Sequence, residues 1–78
     1  MPDDTGLLKR SMRIAGHRTS LALEREFWEV IEEAAEFRKV SLPVLIAQID
    51  EKRQKEAPGA SLASAVRVFA LGEPKRPK

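Results

Sequence analysis

The chain reads as a mostly α-helical protein with one β-strand: a strand, then three helices, with two copies joined through the strand. Three observations predict this. A stretch with a period of two gives way at Glu24 to a helical period, and Ser41 and Ser61 stand where N-caps would open two further helical runs. A chain of 78 residues has little apolar surface to bury on its own. A solitary strand, finally, has no partner within its chain for its backbone donors and acceptors.

The strand comes first. From Ser11 to Leu23 apolar and polar residues alternate, with Thr19, Leu21 and Leu23 on one face and Arg18, Ser20 and Ala22 on the other. Upstream, Met12 and Ile14 are apolar at even positions. The apolar phase therefore flips around Ala15-Gly16, as a bulge or a break between two strand pieces requires. Arg18 to Leu23 is the secure strand, and the residues before it are an extension or an arm.

The helices follow. Between Glu24 and Arg38 the stripe is Phe27, Val30, Ile31, Ala34 and Phe37, with glutamates largely opposite and Glu24 and Glu26 set against the N-terminal dipole. Ser41 caps the second helix, Pro43 sits in its first turn, and Leu42, Leu45, Ile46 and Ile49 lead into the charged stretch Asp50 to Glu56. Pro58-Gly59 marks a turn, after which Ser61 caps a short helix carrying Leu62, Ala65, Val66 and Phe69. The expected organisation is a flexible N-terminal arm over residues 1–10, one folded domain over 11–71, and a disordered basic tail over 72–78.

Composition narrows the function. The absence of cysteine removes disulfides, thiolate metal sites and thiol nucleophiles. One histidine excludes a multi-histidine metal site. Neither a secretory leader nor a membrane-length apolar run is recognisable, which predicts a cytoplasmic location. The net charge is +2, but its distribution is uneven. Lys9, Arg10, Arg13 and Arg18 form a basic segment, Glu24 to Glu36 an acidic one, and Lys75, Arg76 and Lys78 a basic end. One face for phosphate and another for water is the implied arrangement.

An unpaired strand in so small a chain predicts a homodimer whose twin strands run antiparallel about a two-fold axis, with Leu21, Leu23, Phe27, Ile31 and Ile46 in the dimer core.

The succession of strand Arg18 to Leu23, helix from Glu24 with Phe27, Val30 and Ile31, and Ser41-capped helix with Leu42 and Ile46 resembles the ribbon-helix-helix DNA-binding proteins. The stretch Lys9 to Phe69 looks like a small bacterial subgroup with an added third helix. The resemblance implies an antiparallel intersubunit ribbon lying in the major groove of double-stranded DNA. On that reading Arg18, Ser20 and Ala22 contact bases: Arg18 as a bidentate partner of guanine, Ser20 at several base edges, Ala22 through an apolar contact. Lys9, Arg10, Arg13, His17, Lys39, Ser41 and Leu42 contact phosphate, the last two as a clamp at the start of the second helix. Pro43 removes one N–H from that clamp. The preceding turn Arg38-Lys39-Val40 lacks glycine, which drives Lys39 toward a left-handed conformation at roughly 1 kcal/mol.

The resulting expectation is a transcriptional regulator, a homodimer able to associate further on DNA, with no cofactor and no metal. The alternative is a protein-interaction module such as an antitoxin-like partner that binds another protein. An enzyme is not expected, since no nucleophile–base pair, metal set or phosphate loop is recognisable. Trp28 and Phe69 read as core or dimer contacts, the glutamates of the first helix as a solvated face, and Lys75, Arg76 and Lys78 as a solubilising end.

Overall fold

The computed structural model describes residues 6–74. The start of the expected arm and the basic cluster Lys75, Arg76 and Lys78 lie outside the described residues. Two strands precede three helices: β1 (Leu7–Ile14), β2 (His17–Glu24), α1 (Arg25–Arg38), α2 (Leu42–Glu56) and α3 (Leu62–Leu71).

The strand expected to stand alone is paired within its own chain. β1 and β2 form an antiparallel ribbon in the register Leu8↔Leu23, Arg10↔Leu21, Met12↔Thr19 and Ile14↔His17, with Lys9↔Ala22, Ser11↔Ser20 and Arg13↔Arg18 between them. The connection is the two residues Ala15 and Gly16, both at positive φ (51° and 83°), as a type I′ hairpin turn demands. Of the two readings of Ala15-Gly16, a bulge or a break between two strand pieces, the turn bears out the second and rules out the first. A two-residue turn places odd positions of one strand opposite even positions of the other, so the apolar phase must flip across it. It also corrects the assignment of Leu7 to Arg10 to an arm, since these residues are β1. The backbone groups of β2 thus find their partners in β1, and an unpaired strand no longer calls for a second copy.

The inner face of the ribbon closes one hydrophobic core with the helices. Ile14, Leu21 and Leu23 pack with Trp28, Ile31, Ala34 and Ala35 of α1, Leu45, Ile46 and Ile49 of α2, and Val66 and Ala70 of α3. Leu21, Leu23, Ile31 and Ile46, expected in a dimer core, are thus buried inside a single chain, and Phe27 packs half-buried at the edge. On α1 the buried stripe is rotated from the expected one. Trp28, absent from the predicted stripe, is 1% exposed, whereas Phe37 is 67% exposed. Trp28 is drawn in because the hairpin lies over it: its Nε1 donates to the Leu8 carbonyl at 2.8 Å and the Arg10 guanidinium stacks 4.4 Å from its ring centroid.

The helix ends follow local chemistry. Lys39 takes the left-handed conformation (φ 59°, ψ 39°) that the missing glycine predicts, and the N–H groups of Lys39 and Val40 donate to the carbonyls of Glu36 and Ala35. Ser41 and Ser61 cap α2 and α3, their hydroxyls accepting from the N–H of Val44 at 3.3 Å and of Ser64 at 3.0 Å. Side-chain links tie α3 and the residues just after it to the rest. Arg67 Nε donates to Glu24 Oε1 at 3.1 Å, and Arg38 makes a two-pronged contact with Glu73 at 2.8 and 3.0 Å.

Candidate nucleic-acid interface

In an antiparallel ribbon directly opposed residues share a face. The outer face therefore carries Lys9, Ser11 and Arg13 from β1 beside Ala22, Ser20 and Arg18 from β2. All are exposed except Ala22, which is half-buried. Because Ile14 and His17 flank a two-residue turn, they are a hydrogen-bonded pair, and the pairs between them alternate. Arg13/Arg18, Ser11/Ser20 and Lys9/Ala22 are thus the non-hydrogen-bonded pairs, in which opposed side chains come closest. The Ser11 and Ser20 hydroxyl oxygens lie 3.1 Å apart.

Charge on this face has one sign. Lys9, Arg13 and Arg18 are cationic, and none of them has an ion-pair partner among the described residues. Glu24, at the open end of the ribbon, is engaged with Arg67, and its carboxyl is held below the ordinary carboxylate range by a hydrogen bond from its own backbone and then by Arg67. The acidic residues Glu29, Glu32, Glu33 and Glu36 gather on α1 instead.

Of the residues expected to touch DNA, Arg18, Ser20 and Ala22 share the outer face with Lys9 and Arg13. Arg10 does not join them. It lies on the inner face, stacked on Trp28 and ion-paired with Glu32. His17 also belongs to the inner face, exposed beside the turn, where Asp50 and Gln54 of α2 approach the ribbon. Lys39 and Ser41 are exposed before α2, and Leu42 is half-buried against the core. With Val44 N–H bonded to Ser41 and no N–H on Pro43, the Leu42 N–H is the donor of that turn without a partner among the described residues.

Ser11 is the outer-face residue that reasoning from sequence missed. Its signal was the phase flip: once Ala15-Gly16 is a two-residue turn, pairing Ser11 with Ser20 follows by counting.

Among the described residues no group of three or more histidine, aspartate or glutamate side chains is arranged to hold a metal, and no helix is long and apolar enough to cross a membrane.

No curated protein and no solved structure matches the chain. A family model described as a ribbon-helix-helix domain matches residues 7–73, the whole span from the first residue of β1 to just beyond α3. Such domains typically bind DNA and are not an enzyme family. With its antiparallel ribbon leading directly into helices, and a match covering most of its length, the chain belongs to the ribbon-helix-helix domain family.

Proposed function

We propose that this protein binds double-stranded DNA sequence-specifically by laying its β-ribbon in the major groove, and that it acts as a cytoplasmic transcriptional regulator. The observation that carries the proposal is the outer ribbon face. It presents hydroxyls and cationic groups without carboxylate partners among the described residues, on a support two strands wide. A two-stranded ribbon fits the major groove, where arginine and serine can reach base edges. Arg18, Ser20 and Ala22 take the bases in this reading. Lys9 and Arg13 supply charge toward phosphate, His17 on the inner face is left out of the contact, and Lys39, Ser41 and the Leu42 N–H form a second, reduced phosphate contact. Arg10 is assigned instead to holding β1 on α1. A pseudo-palindromic site would be occupied by a homodimer, each copy bringing its own closed ribbon.

The test is selection from a random duplex library, followed by affinity measurements on the enriched and a scrambled site over a range of salt. The logarithm of affinity should fall with the logarithm of salt by about 0.9 per neutralised phosphate. Arg18→Ala should narrow the gap between the two sites by roughly 1–3 kcal/mol for each bidentate arginine–guanine pair it removes. No enriched sequence, together with no duplex binding at low salt, would sink the proposal.

A further inference from the structure

We infer that Arg67 of α3 is a DNA-backbone contact: its guanidinium, held by Glu24, takes a phosphate at the open end of the ribbon, so that the third helix shares in binding. The inference rests on the DNA-binding reading proposed above and adds a residue outside both the ribbon and the start of α2.

Strand parity puts a carboxylate on the DNA-facing side. Leu7 and Glu24 are directly opposed, two residues beyond the pair Lys9 and Ala22, so Glu24 shares a face with Arg18, Ser20 and Ala22. It stands about 7 Å along the strand from Ala22. Duplex DNA carries a phosphate charge for about every 1.7 Å of its axis, so a ribbon that seats Ala22 on a base brings Glu24 up against phosphate. Left bare, that carboxylate would repel the duplex. It is instead covered from α3: Arg67 Nε donates to Glu24 Oε1 at 3.1 Å, and the guanidinium lies 5.9 Å from the Phe27 ring centroid. Bonded to an outer-face carboxylate, the guanidinium sits at the edge of that face.

The way Arg67 holds Glu24 leaves it able to do more than neutralise. Arg38, which also ties α3 and the residues after it to α1, spends both terminal nitrogens on Glu73, at 2.8 and 3.0 Å. Arg67 engages Glu24 through Nε alone, and the N–H donors of its terminal nitrogens have no partner among the described residues. Its side chain is 31% exposed, so those donors are open to a ligand. A guanidinium fixed at its root by a carboxylate, with its fork unspent, is preorganised for the paired hydrogen bonds that phosphate oxygens accept. Val66 and Ala70, buried in the core, hold the helix that carries it.

Salt titrations of duplex binding by the wild type, Arg67→Gln, Glu24→Gln and the double variant test this, with each variant melted beforehand to establish that it is folded at the assay temperature. Arg67→Gln should lose affinity about ten-fold on the enriched and the scrambled site alike, since a phosphate contact sees no sequence. Its salt slope should flatten by about 0.9 for each contact removed, one per bound chain. Glu24→Gln retains the arginine and should keep the wild-type slope. The double variant separates a contact from a mere neutraliser: its slope should stay flattened even though no carboxylate is left to cover. Wild-type affinity and slope in the double variant would make Arg67 only a cover for Glu24, and an unchanged slope in Arg67→Gln would make it only a tie between helices. Either result overturns the inference while leaving the function standing. Absence of duplex binding by the wild type at low salt would instead remove the function, and the inference with it.

Discussion

Lys39 shows how far one residue can be read and what it trades. A turn written Arg38-Lys39-Val40 has no glycine to occupy the left-handed position that ends a helix, and Lys39 is found there with φ 59°. A side chain in that conformation costs roughly 1 kcal/mol. Lys39→Gly is therefore expected to raise stability by up to about 1 kcal/mol, seen as a higher melting temperature. The same change removes a cation from the start of α2, so affinity for duplex DNA should fall similarly on every sequence and its salt slope should flatten. A variant that is more stable and binds unchanged would remove Lys39 from the phosphate contact. The strain at Lys39 was legible because it depends on three consecutive residues. Trp28 reads from the sequence as a core or dimer contact and is buried, but its place on the buried stripe was not legible, because Phe27 and Trp28 both border the apolar arc of α1. Which of them turns inward is decided by the hairpin packed above, through the Leu8 carbonyl and Arg10.

At the level of elements, the helices were legible from their caps and the ribbon from its parity alone. Ser41 and Ser61 announce α2 and α3 because their hydroxyls satisfy N–H groups three residues on, a purely local event. The pairing of β1 with β2 within one chain was hidden because an Ala-Gly connection lacks the Asn or Asp that usually marks a type I′ turn, and Ala15 must accept a positive φ to make it. The junction between β2 and α1 has its own measurable signature. Glu24 caps α1 with extended backbone geometry and links it to α3 through Arg67. Its carboxyl titrates below the ordinary range, from its own backbone hydrogen bond first and from Arg67 second. A carboxylate whose folded pKa is depressed contributes stability above its unfolded pKa, and loses it as pH falls through the folded value. The melting-temperature advantage of wild type over Glu24→Gln should accordingly be full at neutral pH and fade on the acid side of the ordinary carboxylate range. A gap that stays constant into acid would mean that the ionised Glu24 contributes nothing to the junction.

For the whole molecule, the closed ribbon changes what a second copy is needed for. An unpaired strand would make the fold depend on its twin, as the sequence suggested. With β1 supplying the partner, Leu21, Leu23, Ile31 and Ile46 are at most 3% exposed within one chain, while Phe37, Val44, Val68 and Leu71 remain exposed on its surface. Folding and DNA occupancy should then separate. Anything that binds the native state and not the unfolded one makes the melting temperature depend on concentration, so an obligate dimer melts higher as it is concentrated. This chain, melted without DNA across a hundred-fold range of concentration, is expected to hold a constant melting temperature. Titrated onto a palindromic site, it should bind with two chains per duplex, and onto an isolated half-site with one. Leu23→Lys should abolish folding at every concentration, because the ammonium would be buried without a partner in the chain's own core. A melting temperature that climbs with concentration, accompanied by loss of helical signal on dilution, would return the second strand to a partner subunit. The hairpin would then be an alternative pairing of a ribbon made between chains, and half-sites would no longer bind single copies.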